Sequence, residues 1–364
     1  MRRIPELDSL RGLAALAIMA FHLNPPAFAP GWTGVDLFFV LSGYLITGII
    51  LRHGEERGFL KAFYARRGLR IWPIYYITLG VLVLANPYLP KPYSLESVPY
   101  YATYTQNVPL YWKGTAPSLP TFDHTWTLAL EEQFYILWPA LLLLSGRKRV
   151  VPVCLATIAL AYMAREGGWF SYDHYSERLL IARCDGFALG GLLAAVLSGE
   201  ITPRVRWGVA AVFVLAILYN GWGIVAAGSA TGYLGLPTPP NPARTILAVG
   251  GLYFGLVGVV VLGVGSFWLL PLRWRPLAYL GQISYGMYLY HYPIFWAVDG
   301  FQLSYQQPWS TRTVKVGLTL LVAVASWHLV ESPILRLKNR FRYDSVKSAE
   351  AAVEPRLSAE SKNL

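Results

Sequence analysis

The sequence is short of charge. Asp, Glu, Lys and Arg make up 14% of its 364 residues, against about 25% in soluble domains. With 55% of the chain hydrophobic, that shortage excludes an ordinary soluble domain and points to several membrane spans. Cysteine is nearly absent: Cys154 and Cys184 are the two in the chain, and both lie in apolar segments. A disulfide framework and a thiolate metal site are therefore not supported, and the two thiols read as small packing residues. No internal repeat is visible, so the half-to-half duplication of many transporters is missing. Acidic residues are also scarce, 20 against 31 basic ones, for a net charge of +11. Such an excess can mark a nucleic-acid binder, but the positions of the charges argue against one.

Ten segments are apolar enough to read as spans: about 10–23, 34–51, 71–86, 126–145, 150–164, 179–198, 207–227, 245–270, 279–298 and 314–332. With the N-terminus inside, the inner segments hold 22 Lys and Arg and the outer ones six. Every inner segment is basic, as the positive-inside rule requires. The chain is thus expected to be an all-α integral membrane protein of about ten transmembrane helices with both termini cytoplasmic. Its positive charge is spread over many inner loops facing anionic lipid, which does not make a nucleic-acid patch. Residues 1–338 form the expected membrane domain, and 339–364 a polar, disordered cytoplasmic tail with no soluble catalytic domain appended. The aromatic stretch Tyr100–Trp112 is too short and polar to span and is placed at an interface. "MRR", an apolar run and "AFA" imitate a cleavable signal peptide, but Asp8, Arg11 and Pro25–Pro26 interrupt the pattern.

Against this apolar background several ionisable residues fall within or beside spans: Arg11, His22, Asp36, His124, Glu131, Glu132, Arg183, Asp185, His291, His328 and Glu331. Such groups cost free energy in lipid, so they face a bundle interior or a wet cavity, and they are functional candidates or buried packing pairs. Arg11 and His22 are eleven residues apart, three helical turns, so they share one face about 16.5 Å apart along the axis. Asp8 can pair with Arg11 or cap the helix. Orientation puts Arg11 at the cytoplasmic end. It puts His22 toward the outer end, at the level of Asp36, His124, Glu131, Glu132, Arg183, Asp185 and His291. A neutral histidine among these carboxylates can act as a general base, and one or both glutamates can orient it or bind acceptor hydroxyls. At the inner face, "FYARRGLRIWP" sets Arg66, Arg67 and Arg70 before the third span; these are either ordinary positive-inside charge or a phosphate clamp, because guanidinium forks match phosphate oxygens. His328 and Glu331, also at the inner end, read as structural, and His53 and His174 as solvated loop residues.

Arg11 and His22 with ten residues between them, followed in order by "GVDLFFVLSGYLI", "FYARRGLRIWP", "HTWTLALEEQFY", "SYGMYLYHYP" and "ESP", resemble acyltransferase family three over about Ile4 to Arg336. These are membrane acyltransferases that modify sugars and related acceptors, and the chain looks like the stand-alone form without an outer esterase-like domain. The resemblance implies transfer of an acyl group, by default acetyl, from cytoplasmic acyl-CoA to a hydroxyl of a carbohydrate, glycolipid or small hydroxylated acceptor. It implies His22 as the catalytic histidine, Arg11 as donor support, and Arg67 with Arg70 as the RxxR element linked to the CoA phosphates. Glu131, Glu132, Arg183 and His291 carry over as site candidates. The expected partners are the acyl-CoA co-substrate, the acceptor and membrane lipid, with no metal and no nucleic acid, in a bacterial inner membrane. A glycan or lipid-precursor flippase and a non-catalytic acyl-CoA sensor are the rival readings.

Overall fold

The computed structural model describes residues 4–90, 92–108, 119–167, 178–234, 241–300, 307–341 and 343. Among them, ten long helices form: α1 Pro5–Leu23, α2 Gly34–His53, α3 Phe59–Ala85, α4 Trp126–Ser145, α5 Val150–Glu166, α6 Leu180–Ser198, α7 Pro203–Ala226, α8 Pro242–Leu262, α9 Arg275–Val298 and α10 Trp309–Ser326. They fall on the ten apolar segments expected from the sequence, and no strand occurs among the described residues. The protein is an all-α integral membrane protein. Seven of these helical segments are long and apolar enough to cross a bilayer by length and composition alone. The other three are α1, which carries Glu6, Asp8 and Arg11; α5, which is short; and α9, which is diluted by tyrosines, Gln282 and His291. Two of these less apolar helices, α1 and α9, carry the polar residues that matter below.

The contacts between helices test the alternation of direction that ten successive crossings demand. Asp36 meets Arg183 and Thr47 lies against Gly191, so α2 and α6 run parallel, as two even-numbered spans must. Trp72 bonds Glu132 and Tyr64 bonds Ile136, making α3 and α4 antiparallel. Val209 touches Gly258 and Asn220 bonds the carbonyl of Ala248, so α7 and α8 are antiparallel as well.

Helices in lipid gain nothing from hiding apolar surface from one another, and they associate where small residues let backbones approach. Two crossings depend on this. A methyl on Gly43 or Gly190 would collide with the backbone of Phe187 or Val40, fixing α2 on α6. A Cβ on Gly12 would sit 3.0 Å from the Gly281 nitrogen, and one on Gly281 would strike the carbonyl of Asp8. This second contact locks α1 against α9. His22 lies ten residues beyond Gly12 and His291 ten beyond Gly281, so two parallel helices in contact at the glycines bring the two histidines to the same height.

Several boundaries differ from expectation for local reasons. The third helix begins at Phe59, well before residue 71, so Arg66, Arg67 and Arg70 stand on its N-terminal extension. The last helix passes through a π-helical turn at Trp327–Glu331, a geometry that often marks functional sites. Of Tyr100–Trp112, residues 109–112 lie outside the described residues, as do His174 and residues 344–364 of the expected tail. At the junction with that tail, Arg66 donates to the carbonyls of Lys338 and Phe341.

Candidate active site

Two sites emerge, one at each end of the α1 face. At the basic end, an open basin of about 560 Å³ is lined by Asp8, Arg11, Arg52, Arg66, Arg67 and Arg70 among others. Arg11, Arg67 and Arg70 also line a second, smaller chamber of about 60 Å³ deeper in the bundle, with Glu131, Tyr135, Ser284 and Tyr288. Basin and chamber therefore share a neck of three guanidinium groups. Arg67 and Arg70, one helical turn apart on α3, point into it together. No carboxylate lies within ion-pair distance of Arg11, Arg67 or Arg70 among the described residues. Arg67 instead lies over the Tyr135 ring, 4.5 Å from its centroid, and the buried Nε of Arg11 has no hydrogen-bond partner. Cations this poorly paired beside a wet cavity are suited to an anionic ligand. Arg66 differs, because its Nη1 donates to the backbone carbonyls of Lys338 and Phe341 and its head lies 5.3 Å from the Tyr343 ring centroid.

At the other end, three histidines gather. The His22 ring is 5.0 Å from that of His291, and His291 is 5.0 Å from His124. His22 Nδ1 lies 3.0 Å from the Ile18 carbonyl and 3.2 Å from His291 Nε2. The carbonyl of Tyr288 accepts from His291 Nδ1 at 2.6 Å and from His124 Nε2 at 3.0 Å. His22 is half-buried, while His124 and His291 are buried. Tyr288 joins the two ends. Its ring side lines the deep chamber, its carbonyl anchors two histidines, and its hydroxyl donates to the His124 carbonyl at 2.5 Å and accepts from Thr127 at 2.6 Å.

The structure separates the residues that the sequence had set at one outer level. Asp36 and Arg183 pair with each other at 2.7 Å, and Asp185 pairs with Arg165 at 2.6 Å. All four are buried, and neither pair lines the basin or the chamber. The glutamates part as well. Glu131 faces the arginine chamber and accepts from Ser42 at 3.2 Å and Tyr135 at 2.9 Å. Its neighbour Glu132 turns to α3 and accepts from the Trp72 indole at 2.9 Å. Neither contacts His22, whose polar partners are Ile18 and His291. Asp8 does not cap α1, the N-cap position being Ile4. His53 ends α2, pairs with Glu56 at 2.7 Å and stacks on Tyr343.

Sequence reading passed over Tyr288, Tyr135, Ser42 and Arg52. Tyr288 had a usable signal: it stands three residues before His291, one turn away on the same helix face.

Fold and site together define a class, a polytopic membrane protein with an unpaired arginine neck below a buried histidine cluster. Residues 4–328 match the acyltransferase domain family, and the chain belongs to that family. Among curated relatives it is similar to the "Peptidoglycan O-acetyltransferase OatA" of Listeria monocytogenes, 29% identical over 91% of this chain and 56% of the relative. It is likewise similar to the "Putative peptidoglycan O-acetyltransferase YrhL" of Bacillus subtilis, 30% identical over 92% of this chain and 55% of the relative. A "Putative O-acetyltransferase" of Staphylococcus aureus is 28% identical over 96% of this chain and 59% of the relative. The chain thus spans little more than half the length of these relatives. No solved structure matches it.

Proposed function

We propose that the protein is an acyl-CoA-dependent O-acyltransferase of a bacterial inner membrane, moving an acetyl group from cytoplasmic acetyl-CoA to a hydroxyl of a carbohydrate on the outer side. The observation that carries this reading is the arrangement along α1. Arg11 enters an unpaired arginine neck at the basic end, and His22, on the same helix face, meets His291 toward the other. Coenzyme A carries its phosphates at one end and its thioester on a long flexible arm. Arg67, Arg70 and Arg11 suit the phosphates, leaving the arm to enter the deep chamber toward Tyr288. His22 takes the proton of the acceptor hydroxyl as that oxygen bonds to the thioester carbonyl carbon. The carbon–sulfur bond then breaks, and the proton passes from the imidazolium to the departing sulfur, giving the ester and free CoA.

The names of the relatives favour a glycan acceptor, and peptidoglycan is the first one to try. Asp36 with Arg183 and Asp185 with Arg165 are read as pairs that hold α2, α5 and α6 together, and His124 as part of the histidine scaffold. The decisive experiment supplies purified protein in lipid with acetyl-CoA and a glycan acceptor, and follows CoA release and acceptor mass. His22→Ala is expected to abolish transfer while inserting and folding normally. Full activity in that variant, or movement of a glycan across the bilayer with no CoA released, overturns the reading.

A further inference from the structure

We propose that His291 is a positioning residue that fixes His22 as the tautomer with its proton on Nδ1, leaving Nε2 as the free base. The role in catalysis rests on the acyltransferase reading above; the tautomer itself does not.

The Tyr288 carbonyl can only accept, and it lies 2.6 Å from His291 Nδ1, so that nitrogen carries the hydrogen. The His291 ring is 0% exposed and touches the rings of His22, His124, Tyr288, Tyr292 and Phe295, with no carboxylate against it among the described residues. A buried ring so enclosed stays neutral, because nothing balances a charge there. Its other nitrogen, Nε2, must then present a lone pair. That lone pair is 3.2 Å from His22 Nδ1, which is also 3.0 Å from the Ile18 carbonyl. Two acceptors face one nitrogen of His22, so that nitrogen bears the hydrogen. In the neutral ring, Nε2 is left unprotonated, and no hydrogen bond occupies it among the described residues.

The Ile18 carbonyl favours the same tautomer while sharing its lone pairs with the α1 ladder. His291 supplies an acceptor with no other claim on it. Once Nε2 has taken a proton, the Nδ1–H of the imidazolium still points at the same two acceptors. The charge is met by dipoles already in place, which lowers the barrier without reorganisation. Pro293, lacking an N–H, leaves the Leu289 carbonyl of α9 without its helical donor.

The test is nitrogen NMR of the full chain in lipid nanodiscs with labelled histidine. Six histidines are present, and the His22 signals are assigned by difference against His22→Ala. The wild type is expected to show His22 protonated at Nδ1 and bare at Nε2. In His291→Phe, which keeps the ring volume but removes the acceptor, His22 should shift toward the Nε2–H form that predominates for free imidazole. His291→Gln should restore the original pattern, since its amide oxygen can accept from His22. In parallel, His291→Phe should lower kcat about tenfold or more, the usual cost of losing a partner that orients a working histidine, with KM for both substrates unchanged and recovery in His291→Gln. A wild-type His22 protonated at Nε2, or a His291→Phe variant with the tautomer unchanged, overturns the proposal. If His291→Phe fails to fold, the wild-type spectrum still decides between the two tautomers. A held tautomer in a protein that transfers no acyl group supports the positioning role and counts against the acyltransferase reading, so the two can fail separately.

Discussion

Arg183 and Arg165 lie buried against Asp36 and Asp185, with side chains 2–3% exposed, whereas Arg11, Arg67 and Arg70 face a cavity with no carboxylate in ion-pair reach among the described residues. Both groups stand within one helical bundle and look alike in the sequence. A buried pair satisfies itself and packs, and it offers nothing to a ligand. Cations around a neck with no carboxylate in ion-pair reach hold unused hydrogen-bonding capacity that suits an anionic ligand. Pairing, more than depth in the membrane, therefore separates the two groups of arginines.

The largest way to break this contrast is to unpair the buried set. Asp36→Ala leaves Arg183 charged and alone between Trp32 and Phe39. It is expected to destabilise the protein by about 3–5 kcal/mol, read as a large drop in thermal midpoint in detergent. Replacing both partners together, Asp36→Leu with Arg183→Met, should recover most of that loss. If Asp36→Ala melts like the wild type, the pair is not structural.

The open set should behave the other way round. Arg67→Ala and Arg70→Ala are each expected to weaken acetyl-CoA binding by about 10- to 100-fold, the worth of a charge-assisted contact, with the thermal midpoint unchanged or raised because like charges are relieved. Binding should also fall steeply with added salt, as expected for exposed phosphate contacts. Arg66→Ala makes the internal control. Its Nη1 already serves Lys338 and Phe341, so the variant should loosen the C-terminal segment while changing donor affinity by less than about threefold. Equal losses of affinity at Arg66 and Arg67 would erase the distinction drawn here.

Much of this was legible in the sequence. Apolar runs and the lysine and arginine bias located ten helices, and the eleven-residue step placed Arg11 and His22 on one face. The pairing of α1 with α9 was not legible by any rule about chain neighbours, since 251 residues separate the end of one from the start of the other. A signal existed all the same: Gly12 to His22 and Gly281 to His291 are equal steps, and glycine is where membrane helices touch. Of the residues expected at one outer level, the structure gathers His22, His124 and His291 and sets Asp36, Arg183 and Asp185 in separate pairs, because orientation fixes depth and says nothing about azimuth. Residues at one height can point at lipid, at a cavity or at one another. Asp36, Arg183 and Asp185 share a level with His22 yet point at partners on α2, α5 and α6.

Glu131 and Glu132 give the finest version of the same contrast. Adjacent residues on a helix project about 100° apart, so at most one of them could face the neck. Glu131 does, holding Ser42 and Tyr135 beside the three arginines. Its carboxylate opposes an anionic donor, so Glu131→Gln should tighten acetyl-CoA binding by about threefold, the size of one partly solvated charge contact. The amide has a single acceptor oxygen for two donors, which should lower stability by about 1–3 kcal/mol at the same time. In Glu132→Gln the amide oxygen still accepts from Trp72, so both affinity and thermal midpoint should stay close to wild type. Isothermal titration and thermal melts of the two variants settle the matter. A donor effect confined to Glu132 would mean that the chamber is not the donor site.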